Sequence, residues 1–294
     1  MSGRGAARGA AARGAAARGA ARSALLCSAL LTVACASALK EPPPVEALGG
    51  ASSAPDGIAP EAGSAELLQR ADAAWAGRGD TSAGGALAAV AKAQQLYLAA
   101  ARADEGGVAG LIGAARASTW LVEHEPDSGR RAELATTAVQ AGQWCQRRAP
   151  GDPRCDYWLA LALGQQARER QATALDGVDR MIELLRRTIA ADPTLDEAGA
   201  QRALALVLLR APGWPAGPGD AEAALDAARA AAVLRPDFPP NQLVLAEALA
   251  RNGDPDGAAA ALDRGKALAQ ARREAADPDA ADWLAEAGRL REGL

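Results

Sequence analysis

"NQLVLAEALARNGDPDGAAAALDRGKALAQ", residues 241–270, decides the fold. Leu245, Ala246 and Leu249 share one face of a first helical stretch, Gly253 breaks it, and Ala258 and Leu262 share a face of a second. Apolar residues three and four apart mark a helix face. A Gly-Asp-Pro turn between two such runs folds them into an antiparallel hairpin. The pattern recurs upstream: Pro150, Pro193, Pro236 and Pro278 each follow a helical stretch, at steps of 43, 43 and 42 residues. Ala160, Ala203 and Ala246 stand ten residues after the first three prolines, and Leu163, Leu206 and Leu249 stand thirteen after. Leu159 and Leu245 share a further position, where the middle unit has Arg202. A small residue flanked by leucines at a fixed step is where two helices of a repeat approach most closely.

Composition agrees. Hydrophobic residues make up 49% of the 294, enough for one or two cores, yet aromatics are only 3% and alanine dominates, which suits closely packed helices. Runs of β-branched or aromatic residues that would mark strands are nearly absent. The chain reads as all-α, with eleven helical stretches between residues 65 and 292 pairing into an α-solenoid of about five hairpins. The last stretch, "ADWLAEAGRLREGL", carries Trp283, Leu284 and Leu290 on one face and is expected to fold back as a capping helix.

The N-terminal region differs from the rest. Residues 1–34 hold five arginines and no acid, then an apolar run from Ser23 to Ala34 ahead of Cys35, which is the layout of an export signal. That run is shorter than the roughly 20 residues a membrane-spanning helix needs. "LTVAC" resembles a bacterial lipobox, whose cysteine is acylated and becomes the new N-terminus, so Cys35 is the expected lipidation site. Ala36 after it fits the periplasmic face of the outer membrane. The alternative is an ordinary signal cut near "ASA", giving a soluble periplasmic protein. Residues 35–63, rich in Pro, Gly, Ser and Ala, are expected to form a disordered tether, leaving residues 64–294 as the folded domain. Losing five arginines takes the net charge from −4 to −9. An acidic mature surface argues against nucleic acid, and against membrane contact other than through the lipid.

Cys145 and Cys155 flank the helix-ending turn "QRRAPGDPR". An oxidising compartment permits a disulfide there; two buried free thiols are the alternative. Two cysteines and one histidine do not make a zinc site, and no other cofactor is expected. His124, in "LVEHEPD", reads as a polar helix end. No nucleophile with a positioned base and no phosphate-binding glycine loop is present, so an enzyme is not expected.

The remaining candidates are aromatic. Trp214 lies in "APGWPAGPG", where prolines fix the backbone; it is either a lip at a cavity or partner surface or a packing anchor, and in both cases it should be partly buried. Tyr157 and Trp158 open a helix whose face suits the core, with ligand contact as the alternative. Phe238 sits at an inter-repeat turn and is expected to plug the joint. Trp75, Trp120 and Trp144 recur at such joints as core residues.

The hairpin at 241–270 resembles a tetratricopeptide (TPR) repeat. More specifically, "DYWLALALGQQARER", the "APGWP" loop and "RPDFPPNQLVLAEAL" resemble the TRAP transporter T-component (TatT) family of TPR-like periplasmic lipoproteins, over about residues 107–270. The resemblance implies a lipid-anchored helical protein with apolar cavities that associates with the substrate-binding component of a tripartite uptake system, handles an apolar small molecule, and self-associates. "DEAGAQR", residues 196–202, departs from the family pattern and puts ligand preference in doubt. Two functional readings stand: such a transport accessory, which needs an apolar cavity, or an envelope scaffold for protein partners, which needs a polar or charged groove. The apolar circumference of "QRALALVLLR" tilts toward the cavity.

Overall fold

The computed structural model describes residues 39–49, 62–170 and 174–293. Among these residues the α-helices are α1 Ser64–Ala76, α2 Gly85–Ala103, α3 Ala109–His124, α4 Ser128–Arg148, α5 Pro153–Glu169, α6 Ala174–Ala191, α7 Leu195–Arg210, α8 Ala221–Leu234, α9 Pro239–Arg251, α10 Pro255–Glu274 and α11 Ala280–Gly293. The helix starts follow from local chemistry. Asp127, Asp152, Asp220 and Asp254 each turn a carboxylate onto a free backbone N–H of the first turn, at 2.7–3.0 Å. Proline occupies the first turn of α5, α9 and α10, where its missing N–H costs nothing. Gly151 and Gly253 take positive φ of 87° and 79° in the tight turns that precede α5 and α10.

Each odd-numbered helix up to α9 pairs with its successor, making five hairpins: α1/α2, α3/α4, α5/α6, α7/α8 and α9/α10. The odd helices also pack on one another in sequence, forming an inner row, and α11 packs on α9 and α10. This is a TPR-like α-solenoid with a C-terminal capping helix, as the repeat spacing predicts. Repeat positions become the closest contacts. Leu159, Ala160 and Leu163 have no exposed surface, nor does Ala246. Gly142 of α4 lies against the Leu159 backbone, where an added Cβ would sit 2.9 Å from it. Truncating a leucine so enclosed costs about 2–5 kcal/mol.

Cys145 and Cys155 form a disulfide across the turn between α4 and α5, with Cα atoms 5.3 Å apart and both side chains buried. Closing so short a loop stabilises by at most about 3 kcal/mol.

Part of the expected tether is packed onto the helices. Pro42, Val45 and Leu48 are buried, and the carbonyls of Lys40, Pro43 and Leu48 accept hydrogen bonds from Gln143, Trp144 and Arg102 at 2.8–2.9 Å. Glu41 pairs with Arg147 at 2.6 Å. Proline-rich composition signals a linker, but a few apolar side chains and a row of carbonyls suffice here to dock it. Cys35 and the leader lie outside the described residues. Among the described residues no helix is long and apolar enough to cross a membrane.

The departure at 196–202 has a structural counterpart. Asp196, Glu197 and Ala198 all take left-handed φ, between 51° and 61°, a conformation that costs roughly 1–2 kcal/mol per non-glycine residue. A network centred on one buried side chain holds it. Tyr157 donates its hydroxyl to Asp196 at 2.5 Å, Arg202 donates to the Glu197 carbonyl at 3.1 Å, and Arg235 pairs with the Glu197 carboxylate at 3.2 Å. Fully buried Asn241 donates to the carbonyls of Glu197, Ala231 and Arg235 and accepts from Arg202 at 2.9 Å.

Candidate functional site: the concave cavity

The inner row encloses a cavity of about 600 Å³. Trp120, Glu123 and His124 of α3 form one end, Arg168 of α5 and Arg210 of α7 the flank, and Glu247 of α9 the far wall. The capping helix supplies Asp282, Trp283, Glu286 and Arg289 as the roof. The lining is therefore mixed: charged side chains of both signs stand beside Leu206, Leu243, Val244 and Leu290, so the expected apolar cavity is met only in part. Of the residues that make the first helices look apolar all round, Leu209 is spent on packing between hairpins, whereas Leu243 and Val244 also reach the cavity wall.

Two contacts tie the roof to distant parts of the chain. Arg78, in the turn after α1, grips Asp279 with two guanidinium nitrogens at 2.9 and 3.1 Å. His124 stacks on Trp120 with ring centroids 3.7 Å apart, and its ring nitrogens lie 2.8 Å from the Trp120 carbonyl and 3.2 Å from the Asp282 carboxylate. A carbonyl and a carboxylate both accept, so the protonated ring can donate to both at once. Burial alone would push the His124 pKa down, but the hydrogen bonds to Asp282 and Trp120 and the charges of Asp282 and Glu123 outweigh it and raise the pKa. The hydrogen bond from His124 in turn lowers that of Asp282.

Glu123 is accessible within the cavity yet surrounded by protein. That enclosure raises its pKa, against the opposing charge of His124 and a hydrogen bond donated by Gln165 at 2.6 Å. Arg210 is shared between Glu247 at 3.0 Å and Glu286 at 3.6 Å. What this arrangement can do is pair with charged and polar groups of an incoming chain. Among the described residues no group of three or more His, Cys, Asp or Glu side chains is placed to hold a metal ion.

The aromatic candidates fall elsewhere: Tyr157, Trp158, Trp214 and Phe238 do not line this cavity. Tyr157 is buried, with its hydroxyl pKa raised by burial and by the Asp196 charge. Trp158 meets Tyr157 edge to face at 5.1 Å and packs against two of the apolar cores. Phe238 does sit at the joint, between the Arg202 guanidinium at 5.0 Å and the Trp283 ring at 5.3 Å. Trp214 corrects the expectation of partial burial, being 89% exposed. The loop has no need of the indole, because its own backbone closes it. Gly219 donates to the Pro212 carbonyl at 2.8 Å, Ala216 to Gly213 at 3.0 Å, and Asp220 to Leu208 at 3.1 Å. Sequence reasoning missed Asp282, Arg78 and Asn241; the contacts that give them their roles, with His124, Asp279 and Arg202, span 39 to 201 residues, and no local pattern points to them.

A TPR-like solenoid with a charged inner groove is the class of protein these features define. No family profile matches the sequence, and no curated protein sequence is significantly similar to it. Among solved structures, a thermophilic TPR protein of Thermus thermophilus, TTC0263, is similar with a TM-score of 0.54 and 18% identity, covering 77% of this chain and 98% of its own. A structure of MamA matches with a TM-score of 0.44 and 17% identity, covering 67% of this chain and 96% of its own. At 18% identity the likeness to TTC0263 concerns the fold alone.

Proposed function

We propose that the protein is a non-enzymatic scaffold whose concave inner face binds a partner polypeptide. The observation that carries this is the lining of the groove: charged side chains of both signs contributed by α3, α5, α7, α9 and α11. Such a surface offers ion pairs and hydrogen bonds at several points along an extended or helical ligand. An apolar small molecule would have to strip water from these charged side chains, which costs stability. A photo-crosslinking residue at Arg168, tested in the producing cell, should trap a polypeptide. Recovery of a small molecule alone, or of nothing, would sink the reading.

Export and acylation of Cys35 at the periplasmic face of the outer membrane belong to the same proposal, supported by the arginine-rich leader and the "LTVAC" motif. Incorporation of labelled fatty acid that is lost in Cys35→Ser checks it. The resemblance of residues 157–262 to TatT proteins supports a finer reading, in which the trapped partner is the substrate-binding component of a TRAP-type transporter. Mass spectrometry of the crosslinked product tests that directly.

A further inference from the structure

We infer that the 211–219 loop is the knob of a reciprocal contact between two copies of this chain. Trp214 is held out to solvent on a loop closed by its own backbone hydrogen bonds and three prolines, Pro212, Pro215 and Pro218. An indole presented in that way loses little freedom when it is buried against a partner. It makes no ring contact within the described residues, so its exposure is not compensated inside the chain.

A complementary hole lies at the base of the same loop. A second cavity, of about 540 Å³, has Ile182, Ala190, Leu208 and Pro218 as its apolar surface and Asp179 and Arg186 on its rim. Leu208 and Pro218 bracket the loop that carries Trp214, so knob and hole belong to one continuous surface. A two-fold contact requires just this, because each copy must offer both elements on the same patch. The rim is self-complementary in charge as well: Asp179 and Glu183 stand beside Arg186 and Arg187. Neither Asp179 nor Arg186 is in an ion pair among the described residues, so each is open to the opposite sign on a second copy. Two indoles and the two walls they cover would remove on the order of 800 Å² from water, at an area of about 200 Å² per tryptophan. That lies below the standard interface size and sets the expectation of a reversible dimer with a micromolar dissociation constant.

The inference does not depend on the groove, and its test leaves the groove alone. Sedimentation velocity of the full chain across micromolar to submillimolar concentration should show a monomer–dimer equilibrium. Trp214→Ala removes the knob and Ala190→Trp fills the hole; both positions are exposed, so the fold is retained. Each variant alone should dimerise at least tenfold more weakly. An equimolar mixture should recover association, since the pair retains one intact knob and one intact hole. A wild type that stays monomeric, a variant that dimerises like the wild type, or a mixture that fails to recover would each overturn the inference. Arg168→Glu, which alters the groove, should leave the equilibrium unchanged.

Discussion

The joint around Asn241 and the loop around Trp214 solve the same problem, a stretch of irregular backbone at the edge of α7, in opposite ways. At the joint, three residues in left-handed conformation are held by side chains drawn from α5, α7 and α9 and from the turn after α8. At the loop, backbone groups satisfy one another and the largest side chain is left in water. The first segment is stable only because of its surroundings. The second is nearly independent of them, which leaves its side chain free for another molecule.

Removing the centre of the joint should therefore have the largest effect. Asn241 has no exposed surface, and replacing it with alanine leaves Arg202 and three carbonyls short of a partner while opening a small void. We expect a loss of about 3 kcal/mol in urea unfolding. A loss below about 1 kcal/mol would show that the left-handed turn holds itself, and the contrast with the loop would break. Replacing Cys145 and Cys155 together by serine should cost slightly less, about 2–3 kcal/mol. The unfolding midpoint with and without a reducing agent checks that figure.

The roof of the groove should respond to pH with a smaller amplitude. The His124 pKa is raised in the fold, so its contribution is fully present below the unfolded value of about 6.5 and is lost as pH rises through the folded one. The Asp282 pKa is lowered, so its contribution is present above its unfolded value and is lost as pH falls through the folded one. The latch is strongest between those two limits. Because Asp282 is largely exposed, the stability involved is below about 1 kcal/mol. Unfolding midpoints of the wild type should fall more steeply above neutral pH than those of His124→Gln. Parallel curves would mean that the other contacts of α11, those of Arg78, Arg210 and the Trp283 face among them, hold it without the histidine.

How far the sequence could be read followed the same division. The hairpins and the capping helix were legible because apolar spacing and proline steps repeat locally, and Phe238 was placed at its joint by the turn around it. The left-handed turn was visible only as a departure from a pattern, since Asp196, Glu197 and Ala198 carry no glycine signal for such a conformation. The charged groove was hidden for another reason: Arg168, Arg210, Glu247 and Glu286 sit on four helices and acquire a common meaning only when those helices are stacked. Residues 39–49 were misjudged because composition weighs prolines, whereas docking depends on Val45, Leu48 and available carbonyls.

The smallest expected effect is the most informative about the loop. Trp214→Ala, examined at concentrations low enough to keep the chain monomeric, should change stability by less than about 0.5 kcal/mol, because the substitution removes no internal contact. It should also remove the part of the tryptophan emission most readily quenched by acrylamide, since the other indoles within the described residues are more enclosed. A loss of more than about 1 kcal/mol would mean that the indole packs on its own chain. It would then be an anchor of the repeat, the difference between loop and joint would disappear, and with it the reason for a tryptophan to be free to meet a second copy.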